Sequence, residues 1–425
     1  MKKIWGAAAL SILSVNSWAV KLSDYKPFQY ETLFTNPVCE TYTYDKAMVS
    51  VSGNNLSSKP DDVYCKPSDE DTSVNRDNAP QRRLIEWITS PDTTEILTAY
   101  LSFSSKNIVA AFCEAAKRGV KIDMVLDGGE DHTVNKDAES LKKCSPQNLV
   151  NVTYRGSTGG LGYAHNKILM VNPKDKVVKL VYSSGNLTSG TSINHENWNF
   201  LTTSGESFFI KSHECVINSM ITSGDTKGNF TASLNDCRSK ITAPQETDIQ
   251  VFFSPVEGKE ALQKVTAAGN EAVSIDAMSH RFSGALADLF AQLLVAKKDI
   301  RFILDDDIFW AATLKKDVGR NTKYEAFKIY NELISKGMNT RFLQTNQNVY
   351  QLQHNKFMIF NFNDGSGAVF NGAGNFTTAA FTKNFENFYF VTIPSVVESY
   401  RKQYKKYFEE MATKAEDMPR DYVLP

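Results

Sequence analysis

The sequence predicts an α/β protein built twice: two pseudo-symmetric halves, each a mixed, mostly parallel β-sheet flanked by helices. Three observations carry this. Continuous apolar runs such as "KIDMVLD" and "DIRFILDD" alternate with amphipathic helical stretches, the pattern of strands covered on both faces. The polar phrase His-Asn-Lys occurs twice, in "YAHNKILMVN" (163 to 172) and "LQHNKFMIFN" (352 to 361). Each copy is followed by a small-residue turn, "SSGN" or "GAGN", and the interval from His165 to Asn186 equals that from His354 to Asn375, 21 residues in both cases. So long a matched interval argues for duplication.

The elements follow in parallel order. "ETLFTNPVC" and "IQVFFSPVEG" read as strands ended by proline, which cannot donate to a ladder. "RRLIEWITSPDTTEILTAYLSF" and "EALQKVTAAGNEAVSIDAMSH" each read as a helix, a turn and a β-rich run. "NIVAAFCEAAKRGV" and "GALADLFAQLLVAKK" are amphipathic helices leading into the continuous apolar strands. The expected organisation is a signal segment at 1–19, a first half at 20–205 with an insertion at about 40–80, and a connector at 206–247. A second half at 248–395 and a C-terminal helix and tail at 396–425, its charges facing solvent, complete it.

Residues 1 to 19 combine Lys2 and Lys3, an apolar stretch and a small-x-small end at Ser17-Trp18-Ala19, the grammar of a secretory signal cleaved after Ala19. The apolar stretch is shorter than the roughly 20 residues a spanning helix needs. The expected location is therefore secreted or periplasmic. Six cysteines, an even number, fit an oxidising compartment, and sequential pairing (39 with 65, 113 with 144, 215 with 237) is the simplest connectivity. No cysteine pair has metal-ligand spacing. Without the signal, 45 basic residues face 48 acidic ones. The overall basic excess typical of nucleic-acid binders is absent, which leaves a local basic groove as the route to such a partner.

In a strand, side chains alternate faces, so His165 and Lys167 project together, as do His354 and Lys356. Two such pairs meeting about a pseudo-two-fold axis, with Asn186 and Asn375, suit phosphodiester cleavage. Lysine and asparagine groups would stabilise charge on the non-bridging oxygens, one imidazole would attack phosphorus and the other protonate the leaving oxygen. Glu196 in "HENWNF" and Glu386 in "FENFYF" are placed to fix the imidazole tautomers. This arrangement calls for no cofactor and no metal.

At these residues the chain resembles the phospholipase D superfamily, whose signature is H-x-K-x4-D followed by a G-S-x-N-like turn, once per half in two-repeat members. The likeness extends over nearly the whole chain after the signal. It implies an active site between the halves, with His165, Lys167 and Asn186 forming one half-site and His354, Lys356 and Asn375 the other. It implies reaction through a phosphohistidine, with His165 as nucleophile and His354 as general acid, roles that could be exchanged. Ser184 matches the family serine and would contribute to substrate binding; its counterpart is Ala373. Asn172 and Asn361 stand where the family has Asp, a position that braces the local fold.

The remaining polar residues read as structural or peripheral: His132, His195, His213, His280, Asp127 and Asp305 to Asp307. The leading reading is a phospholipase D-type hydrolase acting on phospholipids at a membrane surface, releasing phosphatidic acid and a free headgroup, and transferring the phosphatidyl group where an alcohol replaces water. Phe385, Phe388, Tyr389, Phe309 and Trp310 are candidates to accept acyl chains, or core. An exported endonuclease of the same chemistry is the alternative, with nucleic acid as partner. A silent binding protein is disfavoured by retention of both His-Lys pairs. A chain with both copies completes its site as a monomer.

Overall fold

The computed structural model describes residues 19–37, 78–129, 133–224, 226–312, 322–345 and 351–418. The expected signal segment up to Trp18, the expected insertion up to residue 77 with its pairing of Cys39 and Cys65, and His132 lie outside them.

The first half is a seven-stranded sheet in the order β1-β7-β6-β5-β2-β3-β4, formed by β1 (Gln29–Phe34), β2 (Glu95–Tyr100), β3 (Lys121–Asp127), β4 (Val150–Arg155), β5 (Lys167–Val171), β6 (Val177–Ser183) and β7 (Asn197–Ser204). The second repeats the plan with eight strands in the order β15-β11-β10-β9-β12-β13-β14-β8. These are β8 (Ile249–Ser254), β9 (Ser274–Ser279), β10 (Asp299–Asp305), β11 (Asn339–Leu343), β12 (Lys356–Asn361), β13 (Gly367–Gly372), β14 (Glu386–Val391) and β15 (Thr413–Lys414). Both sheets are mixed, as the sequence predicts, but not mostly parallel. Parallel pairing is confined to β2-β3-β4 and β9-β10-β11. The short returns from β5 to β6 and from β12 to β13 leave no room for a crossover helix, so these strands pair antiparallel.

Helices pack where their apolar faces require. Helices Pro80–Thr89 and Lys106–Lys117 cover the outer face of the first sheet and join its own core, with Leu84, Ile88, Ile108 and Phe112 fully buried. Gly258–Glu271 and Ala285–Val295 do the same for the second. A third core is shared, running from Leu97, Ile168 and Tyr182 of the first sheet to Phe357, Ile359 and Tyr389 of the second. The connector supplies two helices to it, Phe208–Thr222 and Lys227–Ser239, clasped by a Cys215–Cys237 disulfide. Cys113–Cys144 staples helix Lys106–Lys117 to helix Lys136–Cys144. Helix Pro394–Lys406 buries Val396, Val397, Tyr400 and Tyr404 in the shared core and exposes its charges, as its periodicity predicts. Among the described residues no helix is long and apolar enough to cross a membrane.

The shared core makes the halves one body. Tyr182 stacks on Tyr389 with centroids 3.6 Å apart, and Asn199 Nδ2 donates to Asn371 Oδ1 at 3.4 Å. Two short bridges, Ala164 with Phe385 and His195 with Gln353, stitch the segments that carry the histidines.

Candidate functional site

Each His-x-Lys phrase enters the cleft along a backbone tied to the other half. His165 N–H donates to the Phe385 carbonyl, and Lys167 N–H to Asn387 Oδ1 at 2.9 Å. In the second copy, His354 N–H donates to the His195 carbonyl and Lys356 N–H to Asn197 Oδ1 at 3.0 Å. The lysines point back along their own strand: Lys167 Nζ donates to the His165 carbonyl and Lys356 Nζ to that of His354, at 2.9 and 2.8 Å. Same-face projection, expected from the period of two, is what allows this return.

The carboxylates are exchanged between halves. Glu386 accepts from His165 Nδ1 at 2.7 Å, and Glu196 from His354 Nδ1 at the same distance. The Gly-Asn turns follow the carboxylates. A Cβ on Gly185 would stand 3.2 Å from the Glu196 carboxyl carbon, and one on Gly374 3.3 Å from that of Glu386, so only glycine lets the turns lie so close. Asn375 shares a cavity with His165. The carboxylate pairing is therefore crossed: His165 pairs with Glu386 and His354 with Glu196, each reaching over the interface.

Ser184 is turned away from the role expected of it. Its hydroxyl donates to Glu196 Oε2 at 2.5 Å and accepts from Asn197 N–H at 2.9 Å, so it supports the carboxylate rather than a bound phosphate. Asn194 Nδ2 adds a contact to Glu196 at 3.3 Å, and Asn384 does the same for Glu386 at 3.0 Å. Asn172 and Asn361 lie at the far ends of their strands and brace them, as expected. Asn172, at a φ of +54°, accepts from Thr94 and Glu95 N–H, while Asn361 accepts from Arg401 and donates to Ser274 and Asp276.

Burial sets the electrostatics. It pulls the His354 imidazole down to about 4, against the opposing pull of Glu196, and lowers His165 despite Glu386. Lys167 falls to about 8 through desolvation, and Lys356 drops well below its ordinary value for the same reason, with Lys167 adding repulsion. Burial alone would raise Glu196, but His354, Lys356 and Ser184 together hold it below the usual carboxylate range. The result is a pair of imidazoles oriented by carboxylates and disfavoured as cations by burial, beside two amines packed close enough to influence each other.

Asp127 and Asp305 prove structural, as their sequence context suggests. Each accepts the N–H of the residue preceding its histidine, Ala164 and Gln353, at 2.7 and 2.6 Å. His195 is a buried link of the interface, its Nδ1 3.3 Å from the Tyr407 hydroxyl. His213 bridges the Phe209 carbonyl and the Tyr389 hydroxyl. The acyl-chain role considered for Phe385, Phe388, Tyr389 and Phe309 is corrected: all four are core, the first three at most 1% exposed. The side chain of Trp310 lies outside the described residues.

Sequence reasoning passed over Arg281 and set His280 aside as peripheral, whereas the structure brings His280 to the site. Its ring lies 5.6 Å from that of His354, next to Arg281, whose guanidinium is held by both carboxylate oxygens of Asp307 at 3.0 and 2.7 Å. Ligand atoms of His280, Asp305 and Asp307 come within 4.8 Å of one another, the described cluster nearest to a metal-binding set. It fits a cation poorly, because Arg281 already carries positive charge to Asp307 and Asp305 accepts backbone N–H groups. The matching positions of the first half hold Leu101 and Ser102, so the repeat offered no signal for His280 and Arg281.

The chain matches the family described as cardiolipin synthase, PLD-like domain, over residues 84–221 and 242–411, most of its length. The chain belongs to the phospholipase D superfamily. Among solved structures it is similar to phosphatidylserine synthase from Haemophilus influenzae, at 12% identity and a TM-score of 0.57, covering 80% of this chain and 88% of that one. It is similar also to polyphosphate kinase from Porphyromonas gingivalis, at 13% identity and a TM-score of 0.51. That match covers 78% of this chain but only 46% of the kinase, so the chain spans less than half of that relative. A phospholipase D family member, Nuc from Salmonella typhimurium, matches at 24% identity and a TM-score of 0.29, over 39% of this chain and 96% of its own. The likenesses to the synthase and the kinase show the fold. No curated protein sequence matches the chain.

Proposed function

We propose that the protein is a phosphodiesterase of the phospholipase D type that hydrolyses phospholipids at the headgroup through a phosphohistidine, releasing phosphatidic acid. The observation that carries the chemistry is the crossed pairing of His165 with Glu386 and of His354 with Glu196 beside two buried lysines. A carboxylate on Nδ1 leaves Nε2 of each ring to face phosphorus or a proton, that of His165 lying 3.2 Å from Lys167 Nζ, and the lysines and Asn186 and Asn375 supply donors to the non-bridging oxygens. One imidazole, as the free base, forms the N–P bond as the P–O bond breaks, and the other, as an imidazolium supported by its carboxylate, gives its Nε2 proton to the departing oxygen. Water then attacks phosphorus as the N–P bond breaks, and that second ring takes the water's proton. An alcohol in place of water gives transfer.

The lipid substrate is supported by the family description, and by the cavity beside His165, where Tyr163 and Val134, 48% and 59% exposed, bring apolar surface to the cleft. The near-neutral charge favours it over a nucleic-acid backbone. The test is release of phosphatidic acid from mixed phospholipid vesicles in EDTA by the purified protein, beside Lys356→Met, with plasmid DNA in parallel. Lipid turnover that disappears in the variant is the expected result. Intact lipid with nicked DNA would transfer the assignment to an endonuclease.

A further inference from the structure

The two halves offer the reacting phosphorus unequal surroundings. Around His165 lies a cavity of about 740 Å³ lined by Ser102, Gly129, Val134, Tyr163, Asn375 and Asn384, among others. This volume is within the range that takes small organic ligands. Matched backbone bonds identify the second-half counterparts. Leu187 N–H donates to the Ser102 carbonyl as Phe376 N–H does to that of Arg281, and Gly129 N–H donates to Asp127 as Asp307 N–H does to Asp305. So Ser102 and Gly129, two walls of the cavity, correspond to Arg281 and Asp307, which are joined by a bidentate ion pair. On the His354 side the positions of those two walls are taken by this ion pair, and His280, the counterpart of Leu101, rests against the imidazole.

In-line displacement puts the departing oxygen opposite the nucleophile and next to the general acid. The departing group needs room, and so does the water or alcohol that replaces it. We infer that His354 is the nucleophile and His165 the general acid, with the cavity beside His165 receiving the leaving alcohol and admitting its successor. This reverses the assignment that the family resemblance suggests, and it rests on the phosphohistidine reading above. In the first step His354 Nε2 bonds to phosphorus, the P–O bond to the leaving alcohol breaks, and the proton of His165 passes to that oxygen. In the second, water adds to phosphorus, its proton returns to His165 and the N–P bond breaks. Two features suit His354 to attack. Burial keeps it a free base, and Glu196, held ionised by Ser184 and Lys356, faces the positive charge that the ring acquires on phosphorylation.

Bis(p-nitrophenyl) phosphate separates the roles, because its leaving group departs without a proton. His165→Ala should release about one equivalent of p-nitrophenolate in a burst and then stall, with the nitrophenylphosphoryl adduct on the peptide containing His354. His354→Ala should show neither burst nor adduct. The opposite pattern would overturn the assignment. As a check independent of either variant, wild-type enzyme quenched during turnover in alkaline denaturant should carry its adduct on His354; an adduct on His165 overturns the inference. Turnover with no adduct on any histidine would instead overturn the phosphohistidine reading itself. Val134→Trp tests the cavity: with the retained group held constant, kcat/KM should fall at least tenfold more for a naphthol than for a methanol leaving group. Equal losses would place the leaving alcohol elsewhere.

Discussion

The turn-and-carboxylate sets of the two halves look like copies and are not equivalent. Glu196 is gripped by His354, Asn194 and the Ser184 hydroxyl, whereas Glu386 has His165 and Asn384 but faces Ala373 where the serine would be. Sequence asymmetry at this position suggested unequal contacts to phosphate. In the structure the inequality has moved back one layer, to the groups that orient the histidines. Duplication thus preserves the reacting side chains, while single substitutions behind them differentiate the halves.

The strongest way to break this comparison is to neutralise each carboxylate. Glu196→Gln and Glu386→Gln should each lower kcat by on the order of 10³-fold, since an amide can present the wrong partner to Nδ1 and misorient the ring, the effect known for the triad aspartate of serine proteases. Rates of p-nitrophenyl phosphodiester hydrolysis, with melting curves to confirm folding, decide it. A silent substitution in either half would mean that its imidazole is oriented by something else.

A second contrast sets the buried histidines of the site against those of the scaffold. His354 and His195 are drawn down to about 4 and His213 to about 3, all chiefly by burial. Each ring is neutral when folded and binds a proton near 6.5 when unfolded. Between about pH 6.5 and 4 the unfolded chain therefore holds more protons, and stability must fall as pH falls through this window. The melting temperature should drop by several degrees from pH 7 to pH 4.5. His213→Gln should flatten that slope while leaving catalysis in place, because the ring touches Phe209 and Tyr389 and not the cleft. A slope unchanged in this variant would assign the acid sensitivity to the site itself.

How much of this was legible beforehand depends on whether a residue was repeated. His165, Lys167, Asn186 and their second-half partners stood out because chance does not reproduce a 21-residue interval. The strand faces followed from the period of two. The exchange of Glu196 and Glu386 could not be read, since it depends on how the halves dock and not on either half's pattern. His280 and Asp307 read as structural or peripheral and Arg281 escaped notice, because none of the three is repeated. The aromatics of "FENFYF" could have been substrate contacts or core, and burial of every β14 residue between two layers, which sequence alone does not show, made them core. Parallel pairing was overestimated because a continuous apolar run reports burial on both faces, and antiparallel strands in the middle of these sheets are buried in the same way.

The asparagines that replace the family aspartate divide along the same lines. Asn172 gathers two backbone N–H groups and the Thr94 hydroxyl on Oδ1 and gives Nδ2 to the Asp92 carbonyl, all within one turn. Asn361 instead joins side chains, Ser274, Asp276 and Arg401. Asn172→Ala should cost about 2 kcal/mol of stability, leaving backbone donors unpaired and a non-glycine residue other than Asn at positive φ. Asn361→Ala should cost less, because its partners have one another and solvent. Urea melts rank the two, and a larger loss at Asn361 would reverse the comparison.

The smallest effect tests the asymmetry most directly. Ser184→Ala makes the first half resemble the second at this position, removing a 2.5 Å donor from Glu196 and an acceptor from Asn197 N–H. A single hydrogen bond to a charged group contributes on the order of 1.5 to 3 kcal/mol, but His354 and Asn194 keep the carboxylate in place. The expected outcome is a three- to tenfold fall in kcat with KM little changed, because the hydroxyl supports a group that acts on the reaction and not on bound substrate. Ala373→Ser, which offers Glu386 the missing donor, should change kcat less than threefold, since His165 already has its partner. A rise in KM for Ser184→Ala without loss of kcat would return Ser184 to the phosphate, the role its sequence position suggested.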